Sequence, residues 1–242
     1  MFSLNGLENL NLFKKVDSYK YMNYLSFDVG IKNLAYCTLN PDKGIVDWGI
    51  INMNKNPTCQ VKLRKKCEKQ ATYRILDNDI EYCCTGHKKK FKKVKKLKDT
   101  NILFNLSQIC LTEISKINIS TVRCVLIENQ PALKNPTMKS IQMMIYTYFI
   151  LQGVMNESST IQEVFMVNAR NKLKVYKGPF VICPYNDDKK NKYKKNKYLS
   201  IEYTKNMIEG EDEEYKELFN NSKKKDDLAD AYLQGIYWIQ KG

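Results

Sequence analysis

The sequence predicts an α/β fold: a mixed five-stranded sheet flanked by helices, interrupted by a small cysteine-rich insert. Three observations lead there. From Tyr24 to Met53, three β-rich runs follow one another with tight connections. From residue 100 onward, apolar runs of helical and of strand type alternate. Between these halves, residues 54–98 lose both periods and gather cysteine and lysine instead.

The first strand is "YLSFDVG", which runs up to Gly30. "LAYCTL" alternates as the second, and "GIVDWGIINM" is the third, with Gly44 at the hairpin turn before it. Short connections make these three an antiparallel meander. In "ILFNLSQICLTEISKI", Ile102, Leu103, Leu106, Ile109, Cys110 and Ile114 fall at helical spacing. "VRCVLIEN" is a run of β-formers and closes the fourth strand at Glu128. "TMKSIQMMIYTYFILQGV" predicts a long helix, with Thr137 as its N-cap after Pro136. "IQEVFMVNA" is the fifth strand. Residues 177–197 read as a basic loop, 198–208 as a helix, and "EGEDEEYKELF" as an acidic patch. The last helix, "DDLADAYLQGIYWIQ", sets Leu228, Ala231, Tyr232, Gly235, Ile236 and Ile239 on one face.

Composition narrows the function. The 242 residues include 43% hydrophobic ones, enough for a core. With 40 basic and 26 acidic residues, the net charge is +14, which suits a polyanionic partner, most often nucleic acid. The bland alternative is a solvated, lysine-rich surface. "MFSLNGLENLNLFKK" is too polar for a signal-peptide core, and no window has the apolar length of a membrane span. The chain is therefore expected to be soluble and intracellular, with residues 1–22 as an extension without clear period. Cys37, Cys110, Cys124 and Cys183 stand in apolar contexts and read as small buried residues.

Four carboxylates sit where carboxylates are unexpected. Asp28 lies within the first strand and Glu128 closes the fourth; Asp227 and Asp230, three apart, share a face of the last helix. Each has an ordinary explanation alone: a turn residue, a solvent-facing strand end, acids favoured at a helix N-terminus. Jointly they could converge at one end of the sheet, where their repulsion calls for cations. Oxygen ligands select Mg²⁺ or Mn²⁺. Two such ions activate water and stabilise the leaving oxygen of a phosphodiester.

In this order, "DVGIKN", "LIENQ" and "KKDDLADA" resemble the RuvC-type branch of the ribonuclease H superfamily. Within it, the chain most resembles the poxvirus-type Holliday junction resolvases and their relatives in other large DNA viruses. The resemblance covers residues 24–53 and 100–240. It implies a ribonuclease H-like core, residues 23–53 and 99–242, that nicks four-way DNA junctions as a homodimer. Two Mg²⁺ or Mn²⁺ ions would serve each active site, leaving a five-prime phosphate and a three-prime hydroxyl. Asp28, Glu128, Asp227 and Asp230 would be the catalytic and metal-binding acids, with Asp28 bridging both ions and Asp226 only a helix N-terminal acid. Gln130, Lys134, Asn135 and Lys139 would contact the DNA backbone. Lys32 and Asn33 lie beside Asp28 and would order it, Lys172 of "NARNKLK" would stand near the site, and all three are expected among the DNA-binding residues. Such an enzyme would work in the cytoplasm of an infected cell, or be carried in a virion. Two rival readings keep the fold: a nuclease for flaps, hairpins or forks, and a non-catalytic nucleic-acid binder.

The insert falls outside this resemblance. His87, the single histidine, follows Cys84 at the C-x-x-H spacing of a zinc half-site. Cys59 and Cys67 offer the other pair, with seven residues between them, and Cys83 is the alternative to Cys84. A structural Zn²⁺ is expected there; the alternative is a set of reduced thiols. Tyr73, Ile75, Ile80 and Tyr82 alternate around "DND" as a small hairpin. Eight lysines among the eleven residues after His87 read either as a solvated linker or as a track for phosphate.

Overall fold

The computed structural model describes residues 22–53, 57–62, 64–97, 102–133, 135–186 and 188–241. The N-terminal extension up to residue 21, Lys134 and Lys98 lie outside the described residues. Strands β1 (Asn23–Asp28), β2 (Asn33–Asn40) and β3 (Gly44–Asn52) form the antiparallel meander, turning before β3 at Gly44, whose φ is 78°. The chain then builds a separate three-stranded sheet from β4 (Tyr73–Ile75), β5 (Tyr82–Cys83) and β6 (Val94–Lys96), in the order β5-β4-β6.

Helix α1 (Ile102–Ile114) follows, then β7 (Val122–Glu128), α2 (Pro136–Phe149), β8 (Glu163–Val167), α3 (Lys192–Met207), α4 (Glu213–Asn221) and α5 (Lys225–Lys241). The main sheet has the order β3-β2-β1-β7-β8, with β1, β7 and β8 parallel. The mixed five-stranded sheet predicted from sequence is observed.

Alternation along the strands splits the core into two layers. Leu25, Phe27, Leu34, Val125 and Ile127 pack with Leu106, Cys110, Ile141 and Phe149 of α1 and α2. Ala35, Cys37 and Leu39 face the other way, onto Leu228, Ala231 and Tyr232 of α5. Trp48 stacks on Phe219 of α4 at 5.4 Å and donates its indole N–H to the Leu228 carbonyl at 3.2 Å. Sheet and helices thus form three layers, each strand residue committed to one face by its parity. Helix α5 is buried almost all round at its middle, Ala229, Leu233 and Gln234 included, so its buried surface is wider than the predicted stripe. Among the described residues no helix is long and apolar enough to cross a membrane.

Several boundaries differ from expectation. Asn135, not Thr137, caps α2: its side chain accepts from the Met138 N–H at 3.2 Å, and Pro136 takes the first helical position, where a missing N–H costs nothing. The α-helical part of that run ends at Phe149, and a wider turn continues it over Ile150–Val154. The basic loop is shorter than 177–197, because α3 begins at Lys192; lysine is a good helix former and gives no stop signal. The acidic patch is α4, with Glu213 and Glu214 in its first turn. The lysine run is no linker: Thr85–Lys90 form a short 3₁₀ helix and Val94–Lys96 pair with β4. Cys37, Cys110 and Cys124 are buried, whereas Cys183 is partly exposed.

Candidate active site

Parity and register bring three of the four acids together. Leu25 and Phe27 belong to the α1–α2 side, so Ser26 and Asp28 face α5. By the same rule Val125 and Ile127 put Glu128 on the α5 side, with Cys124 and Leu126. Phe27 pairs with Ile127 in the parallel β1–β7 ladder, so Asp28 and Glu128 end side by side at the carboxyl ends of neighbouring strands. Helix α5 lies across this face. Gln234, almost fully buried, donates to the Ser26 hydroxyl at 3.1 Å and the Phe27 carbonyl at 3.2 Å. Asp230 sits one turn earlier and so joins Asp28 and Glu128. Gly235 permits the close approach: a Cβ there would stand 2.5 Å from Leu39 Cδ1.

Lys172, from the short helix Ala169–Val175, forms an ion pair with Asp230 inside this cluster. Burial pushes the Asp28 carboxyl well above the usual range, and Glu128, close enough to share its proton, pushes it further; Asp230 adds to the rise and Lys172 opposes it. Asp230 is also raised by burial, against the pull of Lys172. Desolvation works against the Lys172 charge, but Asp230 and Asp28 outweigh it and raise its pKa. Ser200 lies near Asp230 but gives its hydroxyl to the Lys197 carbonyl at 3.0 Å. Asp230 Oδ1 is left buried without a hydrogen-bond partner.

Asp227 stands apart from these three. It accepts from the Asn33 side chain at 3.0 Å, with Lys224 at 3.8 Å, and is raised by burial and by neighbouring Asp226. Asp226 pairs with Lys197 at 2.6 Å, which holds its carboxyl below the usual range despite partial burial. Asn33 therefore orders Asp227 and not Asp28. Lys32 is exposed, and its carbonyl accepts from the Met53 N–H at 2.8 Å.

After Glu128 the chain is mostly exposed, but the side chains of Gln130, Asn135 and Lys139 bond back to the protein. Gln130 is buried; its side chain donates to Glu128 at 2.7 Å and to the Val29 carbonyl at 3.3 Å. It is a positioning residue rather than the backbone contact expected. Its own N–H goes to Gln142 Oε1 at 2.9 Å, and that oxygen also accepts from Lys139 at 3.1 Å. Lys139 reaches Asn129 too, at 3.1 Å, and the Asn135 side chain serves as the α2 cap. Gln142 and Gln234 escape sequence reasoning. The one signal is an amide within an otherwise apolar stretch of helix, as in "SIQMMI" and "YLQGI".

A second cluster lies in the insert. The ligand atoms of Cys59, Cys67, Cys84 and His87 all lie within 4.8 Å of one another, the one such convergent set among the described residues, and they could hold a metal ion. His87 Nδ1 is 3.4 Å from Cys59 Sγ and 3.6 Å from Cys84 Sγ. The His87 N–H bonds back to the Cys84 carbonyl at 3.0 Å, closing the turn that aims both side chains inward. Cys83 points into the small core beside Val61 and Ile75 and is not in the set.

No family model matches the chain. The uncharacterized protein L451 of Acanthamoeba polyphaga mimivirus is 33% identical over 253 aligned positions, which take in 86% of this chain and 60% of that protein. The chain thus spans well under two thirds of this relative's length. The yeast mitochondrial Holliday junction resolvase Ydc2 superposes with a TM-score of 0.51 at 18% identity, over 91% of this chain and 80% of that one. The fowlpox virus resolvase, solved with Holliday junction DNA, gives a TM-score of 0.45 at 18% identity, over 91% of this chain and 98% of its own. The chain has the fold of the yeast resolvase, the ribonuclease H-like architecture that its sequence motifs imply.

Proposed function

We propose that the chain is a divalent-metal-dependent, structure-selective DNA endonuclease that resolves four-way junctions by paired nicks, acting as a homodimer in viral recombination or replication. The observation that carries this reading is the meeting of Asp28, Glu128 and Asp230 around a single counter-charge, Lys172, on a resolvase fold. A protein that only bound DNA would gain nothing by turning converging carboxylates toward phosphate.

The donor set fits a hard cation. Three carboxylates face one ammonium, burial and then the neighbouring acids drive Asp28 toward its protonated form, and Asp230 Oδ1 has lone pairs and no partner. Asp28, Glu128 and Asp230 would hold the ions; Asp227, one turn earlier on α5 and apart from them, is the fourth acid that the sequence resemblance implies. Bound there, two divalent ions supply an activated water and stabilise the leaving oxygen of a phosphodiester. The chain's own residues fix the ligands. Gln130 holds one Glu128 oxygen and so restrains that carboxylate beside Asp28. Asn33 orients Asp227, and Gln234 keeps α5 against β1 so that Asp230 cannot drift from Asp28. Lys172 balances part of the carboxylate charge.

A cleavage panel tests the proposal: four-way junction, linear duplex, flap and hairpin, each with and without Mg²⁺. Paired nicks in the junction, dependent on the ion, are expected. Equal cutting of all four substrates would remove junction selectivity, and no cutting of any would remove the nuclease reading.

A further inference from the structure

The basic charge of the chain is concentrated in one segment. Residues 54–98 hold 15 Lys and Arg against 4 Asp and Glu, a net +11 of the chain's +14. The remaining residues carry 25 basic against 22 acidic, only +3. By net charge, most of the polyanion-binding signal in the composition lies in the insert, beside the smaller basic stretch at residues 177–197.

The insert cannot hold a fold by apolar burial alone. Its core comprises Cys59, Val61, Ile75, Cys83 and Cys84, and two of these are in the metal-ligand set. A sheet with strands of three, two and three residues needs a cross-link at this size, and every cysteine is free of disulfide. The ligand geometry supplies one. Tetrahedral Zn²⁺ with Zn–S about 2.3 Å and Zn–N about 2.1 Å puts sulfur and nitrogen about 3.6 Å apart. The two S···N separations at His87, 3.4 and 3.6 Å, match that spacing.

The same ligands fix the lysines. Lys88, Lys89 and Lys90 follow His87 directly, and Phe91 and Val94 pack onto the small core, so the run between them is anchored at both ends. Lys89, Lys90, Lys92 and Lys93 are exposed and make no ion pair among the described residues, where the insert's one such pair is Arg74–Glu81 at 4.0 Å. Lysines free of ion pairs on a small unit remain available to phosphate, although the Asp77 carboxylate accepts from the Lys93 backbone N–H at 2.8 Å.

We propose that the insert is a zinc-organised module that binds the phosphate backbone of duplex DNA and supplies most of the chain's affinity for it. This depends on DNA being the ligand, not on cleavage. The test uses the full-length chain without Mg²⁺ and measures its affinity for a duplex-armed junction as a function of salt. About one zinc per chain should be found, and cobalt substitution should give the absorption of a tetrahedral thiolate site. Replacing Lys89, Lys90, Lys92 and Lys93 together by Ala should keep the metal. It should lower the slope of log affinity against log salt by about 3–4, at about 0.9 per lost phosphate contact, and weaken binding at least ~10-fold near 0.1 M salt. Cys67→Ser with His87→Ala should lose the metal and the same part of the slope. An unchanged slope in the lysine variant, or in the metal-free one, would overturn the proposal. So would purified chain without bound metal, or a loss seen with RNA hairpins and not with DNA. Failure of the nuclease reading shows separately, as absence of Mg²⁺-dependent nicks with this binding intact.

Discussion

Asp28→Asn removes one negative charge from a site where three carboxylates face one ammonium. At about 5 Å, the spacing of neighbouring strands, and an effective dielectric near 20, one unit-charge pair is worth about 3 kcal/mol. Asp28 meets two repulsions, from Glu128 and Asp230, and one attraction, from Lys172. The balance is about 3 kcal/mol of repulsion, of which solvent screening at this partly accessible residue removes roughly half. Without divalent ions the variant should therefore be more stable than the parent by about 1–2 kcal/mol, or ~2–8 °C in melting temperature for a chain of this size. The pH dependence follows from the sign. The folded-state pKa of Asp28 is raised, so the penalty is absent below about pH 4 and grows as pH rises through the raised value. The stability gap between variant and parent should close in acid. Magnesium should reverse the order, since ion at 100-fold its dissociation constant stabilises the parent by about 2.7 kcal/mol and the variant by less. Cleavage should vanish while junction binding persists. Thermal melts with and without Mg²⁺, beside a nicking assay, measure all of this. A variant that melts below the parent in metal-free buffer, responds equally to Mg²⁺, or still cuts would refute the reasoning.

Three further outcomes can be checked. Lys172→Met strands Asp230 in a site where the two side chains are only 17% and 26% exposed, and should cost about 3–5 kcal/mol in urea unfolding, much of it recovered by Mg²⁺; unchanged stability would show that the pair holds nothing together. Gln234→Leu orphans the Phe27 carbonyl and the Ser26 hydroxyl at the α5–β1 contact, which should cost about 1–3 kcal/mol and lower kcat more than it raises KM, because Asp230 loses its placement. Asp47 is raised by burial even though Tyr36 donates to it at 3.3 Å, so its contribution to stability falls as pH rises above about 4. Asp47→Asn should flatten that part of the profile in denaturant titrations from pH 4 to 7, and a steeper profile would contradict it.

The acid site was legible because its geometry is carried by parity. Two β-runs ending in a carboxylate, each with apolar residues at the alternate positions, already commit Asp28 and Glu128 to the same face once the strands are parallel neighbours. The cysteine–histidine set was legible from spacing, since a C-x-x-H turn aims both side chains one way. What escaped notice depends on partners far along the chain. Gln142 and Gln234 act across 12 and 208 residues of sequence, and nothing local distinguishes a bridging amide from a surface one. Asn33 was assigned to the adjacent Asp28, but its partner is Asp227, 194 residues away. Strand β6 was hidden because three residues within a lysine run are too few to show alternation.

On the proposed function, a carboxylate site that accepts a polyanion faces a conflict that the lysines beside it do not resolve. Three lysines near α5 lie against its acids: Lys172 with Asp230, Lys197 with Asp226 at 2.6 Å, and Lys224 with Asp227 at 3.8 Å. A basic residue close enough to guide phosphate into the site is close enough to be neutralised by it. Positive charge meant for DNA must then be kept where carboxylates are scarce, on a unit rigid enough that its lysines cannot fold back. The insert fits both conditions, with 4 acids among 19 charged side chains and, at its centre, four residues that could hold a metal ion. On these two proposals, affinity and chemistry fall to different parts of one chain. Salt should weaken binding through the insert, while the carboxylates alone should decide whether the bound DNA is cut.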